Sequence, residues 1–164
     1  MHDVRRRFLF LAVLLAFSMP AAQAWAQQLT IQNDDGKQTV LSRADLEALP
    51  HVKVQATAHD VSATFEGVAV KTVLEKAGVA FGEGMRGKRL ASCLLVEAAD
   101  GYRVVIALPE MDPGFTDKQV VLAFLKDGKA MDSKEGPYRI VIPDEKRPAR
   151  WIRQVTGLKI VDVQ

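Results

Sequence analysis

The sequence predicts an α+β domain of mixed, mostly antiparallel sheets with short helices. Two observations carry this reading. Asp100-Gly101 and Asp127-Gly128 each stand between two strand-like runs, the strongest short hairpin signal there is. The helical patterns are short and interspersed among these hairpins, whereas a doubly wound parallel sheet needs a helix after nearly every strand. No internal repeat, low-complexity run or linker divides the chain, so residues 27–164 are expected to form a single domain.

The elements follow in order. Leu29 to Gln32 alternates apolar and polar residues as a strand does, and Asp34-Asp35-Gly36 supplies turn chemistry after it. Ser42 can cap a helix, with Asp45 completing a capping box and Leu41 and Leu46 forming a hydrophobic staple; Pro50 ends it. Val52 to Ala56 reads as a half-buried strand. Beyond the segment His59 to Gly67, the residues Val70, Val73, Leu74 and Ala77 mark one apolar helical face, which Gly78 is placed to close. A glycine-containing loop, Phe81 to Gly87, follows. Leu90 to Glu97 and Tyr102 to Leu108 flank the first Asp-Gly pair; Val120 to Leu125 and Lys129 to Met131 flank the second. Tyr138 to Ile142 and Leu158 to Val163 complete the strands.

The first 26 residues read differently. Arg5-Arg6-Arg7 is followed by the apolar run Phe8 to Phe17 and by Ala24-Trp25-Ala26, which is the pattern of a cleavable secretory signal. An apolar run of about ten residues is too short for a stable membrane anchor. The Arg5 to Leu9 stretch also fits a twin-arginine pattern; a strongly apolar centre and no basic residue near the cleavage site favour the general secretory route. The mature chain is therefore expected in the periplasm. Of the 22 basic and 20 acidic residues, residues 1–26 hold three Arg and one Asp, which leaves 19 of each sign in the remainder. A neutral domain without a broad basic face gives no reason to expect nucleic acid as a partner. Cys93 is the only cysteine, so no intramolecular disulfide forms.

Chemistry-bearing residues are few. Lys146 to Arg153 holds four cations in eight residues; Arg150 and Arg153 would share one side of a helical turn, and Arg139 on the preceding strand could join them. Guanidinium groups match phosphate and other oxyanions bidentately, so the cluster is a candidate anion site; the alternative is a solvated loop whose arginines pair with Asp144 and Glu145. Cys93, on a strand-like run, reads as a small buried side chain. His51 and His59 lack the ligand spacing of a metal centre, and no metal site is expected from residue spacing.

Several ordered stretches together resemble the oxidoreductase molybdopterin-binding domain family, with its sulfite-oxidase-like fold. They are Phe65 to Val70 with Leu74 and Ala77-Gly78-Val79, Ala98 to Tyr102, Leu122-Ala123-Phe124 with Asp127-Gly128-Lys129, Gly136 to Pro143, and Ala149 to Arg153. The resemblance runs from about Leu41 to Val163. It implies a molybdopterin cofactor, with Arg139, Arg150 and Arg153 on its phosphate side, and Trp151 where members often place a histidine. The family's molybdenum-ligating cysteine lies before the F-x-G-V segment, where this chain has Thr57, Ala58 and His59. A thiolate is a soft anionic ligand that hydroxyl and imidazole groups do not reproduce. Two functions are thus expected: an exported domain resembling molybdopterin-dependent oxidoreductases, binding an anionic or pterin-type ligand with degenerate metal ligation; or a non-catalytic periplasmic module for a ligand or protein partner on the same fold. Redox turnover would require an electron partner outside this chain.

Overall fold

The computed structural model describes residues 28–163; the expected signal segment lies outside them. Ten strands and two helices are arranged as two sheets. In chain order they are β1 (Leu29–Gln32), β2 (Gln38–Leu41), α1 (Arg43–Glu47), β3 (His51–Ala58), β4 (Val61–Ala69), α2 (Val70–Lys76), β5 (Ser92–Ala98), β6 (Arg103–Ala107), β7 (Val121–Lys126), β8 (Lys129–Ala130), β9 (Arg139–Val141) and β10 (Val155–Asp162). The first sheet runs β2-β1-β10-β5-β6; the second runs β3-β4-β7-β8, with β9 also paired to β7. Every pairing is antiparallel except β1 with β10, which brings the two ends of the described chain side by side.

Local chemistry explains most of these boundaries. The Ser42 hydroxyl accepts the Asp45 N–H at 3.2 Å, and the Asp45 carboxylate accepts the Ser42 N–H at 2.8 Å, a reciprocal capping box. Leu41 and Leu46 are both buried beneath it. At the end of α2, Gly78 adopts φ +89°; its N–H reaches the Glu75 carbonyl and that of Val79 reaches Leu74, both at 3.0 Å, a Schellman closure. Both Asp-Gly pairs make hairpins. At Asp127-Gly128 φ is +51° and +75°, and the Asp127 carboxylate also accepts the Thr64 N–H at 2.9 Å, tying this turn to β4.

The segment left unassigned after His59 is a strand. β4 folds back on β3 in register from His51↔Val68 to Ala58↔Val61, through a two-residue turn of His59 (φ +50°) and Asp60 (φ +64°). Gly67 lets β4 close on β7 at a bulge, where a Cβ would lie 2.0 Å from the Leu122 carbonyl oxygen. One hydrophobic cluster, including Ile31, Leu74, Leu94, Leu122 and Ile140, runs through both sheets. The tip of the β3–β4 hairpin, the β5–β6 turn and the segments 132–136 and 148–154 come together at one end of this core, and there they enclose a cavity.

Candidate functional site

The cavity has a volume of about 660 Å³, within the range of small-molecule sites. One wall is apolar. Ala56 and Ala63 are direct cross-strand partners on β3 and β4, Ala58 opposes Val61 beside them, and Phe65 continues the row. Residues of a strand two apart share a face, so these side chains line one wall together.

The other wall carries charge. β9 is buried along its length, so Arg139 enters the cavity from within the core and is itself only 9% exposed. Its guanidinium lies over the rings of Phe65 (5.6 Å) and Trp151 (5.8 Å), which meet edge to face at 6.1 Å. Arg139 Nη1 donates to Glu135 at 2.7 Å, and Lys126 Nζ donates to the same carboxylate at 3.1 Å. Nε of Arg139 is buried and has no hydrogen-bond partner. A buried donor left unsatisfied carries a desolvation penalty.

Arg153 also lines the cavity. Burial pulls the Arg139 guanidinium below its ordinary value, Glu135 opposes this, and the positive charge of Arg153 pulls it down further. Arg139 remains charged, so two like charges face one space. Trp151 closes the wall: it is buried, and its indole N–H donates to the Ile142 carbonyl at 3.0 Å.

The six residues singled out from the sequence separate into groups. Arg139, Trp151, Arg153 and His59 line the cavity together. Thr57 lines an adjoining, more open depression of about 690 Å³, which shares His59 with the first; its hydroxyl is bonded to Ser62 at 2.7 Å. Arg150 lines neither. The expectation of one helical turn holding Arg150 and Arg153 is corrected by the backbone: helix-like geometry covers only the 3₁₀ turn Pro148–Arg150, after which buried Trp151 and Ile152 carry the chain onward. Arg150 Nε instead meets Glu145 at 2.7 Å, its Nη groups meet Glu110 at 3.3 Å, and Nη1 meets the Val105 carbonyl at 3.3 Å. Burial pushes the Glu110 carboxyl up, but hydrogen bonds from Arg150 and Lys118 outweigh it and bring it down to about 2. The alternative of an arginine paired with Glu145 is thus what Arg150 does.

Lys126, Lys134, Glu135 and Gln154 also line the cavity and were not singled out from the sequence. Among the described residues no group of three or more His, Cys, Asp or Glu is placed to hold a metal. Cys93 sits on β5 in the other sheet, its Sγ 3.5 Å from the Val161 carbonyl, burial pushes its thiol up, and it does not line the cavity.

This architecture defines a class: a two-sheet α+β domain with a cavity at one end of its core lined in part by cationic side chains. The particular family follows from the sequence, since the profile of the family described as "Oxidoreductase molybdopterin binding domain" matches residues 16–164 and the chain belongs to that family. The fold is similar to the sulfane dehydrogenase SoxCD from Paracoccus pantotrophus, with a TM-score of 0.65 and 20% sequence identity, covering 84% of this chain and 39% of that one. No curated protein sequence matches the chain.

The cationic lining fits the organic, anionic part of a molybdopterin through Arg139 and Arg153. It does not fit the metal. The stretch where the ligating cysteine would stand lines the cavity with Ala56, Ala58, His59 and Val61, and Glu135 is already engaged by two cations.

Proposed function

We propose that this chain is an exported domain that binds an anionic cofactor of the pterin type in the cavity between β3–β4 and Arg139, with degenerate metal ligation. The observation that carries this reading is the buried Arg139, packed against Phe65 and Trp151, which lines a cavity of ligand size together with a second guanidinium, that of Arg153. Two like charges at one cavity favour a guest that brings the opposite charge. Membership of the family points to molybdopterin as the class of guest. The cavity lining holds no cysteine that could supply a thiolate to a metal. The periplasm is the proposed location, on the signal pattern of residues 1–26, and an electron-carrying or other protein partner there belongs to the same proposal.

The test is to express the full chain in a host that makes molybdenum cofactor and recover the exported protein. Pterin is measured by fluorescence after release, molybdenum by elemental analysis, and the processed N-terminus by intact mass. Stoichiometric pterin with little molybdenum is expected, on a chain starting at Gln27. Absence of both pterin and metal would end the cofactor reading, and recovery only in the cytoplasmic fraction would end the export reading.

A further inference from the structure

We propose that the protein self-associates as a two-fold dimer in which Phe115 of each copy enters an apolar pocket beside β3 of the other. Neither the pocket nor the segment carrying Phe115 belongs to the ligand cavity, so this inference is independent of the cofactor reading.

The projecting ring follows from a small hydrogen-bond network. Asp112 is buried, and its carboxylate accepts the Gly114 N–H at 2.8 Å and the Gly82 N–H at 2.6 Å. Its carbonyl accepts the N–H groups of Phe115 and Thr116 at 2.9 and 3.2 Å. The turn is thus fixed to the loop after α2, and it leaves Phe115 54% exposed. A ring on a loose tail would fold back onto apolar surface, whereas this one is held out by backbone geometry. An aromatic side chain presented in this way loses little freedom when a partner buries it.

The receiving pocket lies beside that turn. Val52, Ala69, Met111, Val120 and Val121 give it an apolar floor, and its volume is about 270 Å³. That falls short of the roughly 300–1,000 Å³ of small-molecule sites and suits a single aromatic side chain. Pro113 and Thr116, on either side of Phe115, line the pocket, and Phe115 does not. Knob and hole therefore share one short segment. A two-fold axis between them fills both at once, the isologous arrangement in which each copy gives and receives the same contact.

Charge also favours a second copy as the occupant. Asp117 lines the pocket, is exposed, and forms no ion pair among the described residues. Lys71 and Lys118 stand there too; each holds one internal carboxylate, Glu75 or Glu110, and an ammonium has donors to spare. Across the axis, each Asp117 approaches the lysines of the other copy. One ring and one filled pocket bury less per copy than the ~800 Å² of a standard interface. A dissociation constant on the order of 10 μM is therefore expected.

Sedimentation velocity of the protein purified from expression of the full chain, from about 1 to about 200 μM, tests this. Wild type should pass from monomer to dimer across that range. Phe115→Ala should weaken the dimer about a hundredfold. Ala69→Leu, which fills the pocket from below, should do the same, with circular dichroism and thermal melting checking that both variants are folded. Should Ala69→Leu fail to fold, Gln119→Trp covers the pocket from its exposed rim in the same test. Asp117→Lys should weaken the dimer about fivefold. Val40→Ala, at an exposed apolar position on β2, should change nothing. The decisive sample mixes Phe115→Ala with Ala69→Leu. One intact pocket then meets one intact ring, so the mixture should dimerise more tightly than either variant alone. A wild type still monomeric at about 200 μM, a dimer that Phe115→Ala leaves intact, or a mixture no tighter than its components would each overturn the proposal.

Discussion

Arg150 and Arg153 lie three residues apart in one cationic stretch, and the fold treats them in opposite ways. Arg150 is drawn into a closed network with Glu145, Glu110 and the exposed-edge carbonyl of Val105. Arg153 is left facing a cavity and a second guanidinium with no carboxylate of its own among the described residues. Charge density along a sequence is the same signal in both cases. What separates structure from function is whether the protein supplies the counter-charge, because a neutralised guanidinium fixes loops together while an unanswered one attracts a ligand. Arg139 stands between these extremes: Glu135 answers part of its charge, yet its guanidinium still lines the cavity beside that of Arg153.

That intermediate position makes Arg139→Ala the most damaging change. It removes the cation between Phe65 and Trp151, leaves Glu135 to Lys126 alone, and opens a gap in the cavity wall. A loss of about 3 kcal/mol in chemical denaturation is expected, as for other interrupted buried pairs, together with loss of ligand binding. A stability change within experimental error would place Arg139 with the free cations instead.

Arg150→Ala should cost about 1–2 kcal/mol, since Glu145 and Glu110 keep partly buried charges with fewer donors, and should leave ligand affinity unchanged. Its pH signature sharpens the contrast. Glu110 has a folded value lowered from 4.5 to about 2, so its contribution is present above about pH 4.5 and lost as pH falls towards 2. The stability gap between wild type and Arg150→Ala should accordingly shrink over that interval. A gap of constant size down to pH 2 would show that Arg150 acts through packing and not through Glu110. Glu135→Gln probes the cavity side in the same spirit: with the internal counter-charge removed, affinity for an anionic ligand should rise about threefold to tenfold. A fall would mean that Glu135 positions the cations and does not compete with the guest.

How far the sequence discloses all this depends on the range of the interactions. The Ser42–Asp45 box, the Gly78 closure and the two Asp-Gly hairpins are settled within a few residues, and each was legible. β4 was not, because its turn uses His59 and Asp60 at positive φ where Asn-Gly is the usual signal. The parallel pairing of β1 with β10 joins opposite ends of the domain and leaves no local trace. At the site, Arg139, Arg153, Trp151 and His59 could be picked out as residue types. Lys134 and Gln154 could not, since they become neighbours only when the 132–136 turn folds against the segment after Trp151. Arg150 was misplaced because its partner Glu110 is 40 residues away, and because a three-residue 3₁₀ turn replaces the helix that spacing suggested.

The smallest stability effect carries the most information. Arg153→Ala removes a side chain that forms no ion pair among the described residues and that repels Arg139, so its thermal midpoint should hold or rise slightly, within about 0.5 kcal/mol of wild type. Binding of an anionic ligand should nonetheless fall about tenfold, and its dependence on salt should weaken as one cationic contact disappears. Measured side by side with Arg150→Ala, the two variants form a crossed pair: one loses stability and keeps the ligand, the other keeps stability and loses it. If both variants lose stability and neither loses ligand, the cavity's charge is structural, and the division between a neutralised and an unanswered arginine does not describe this protein.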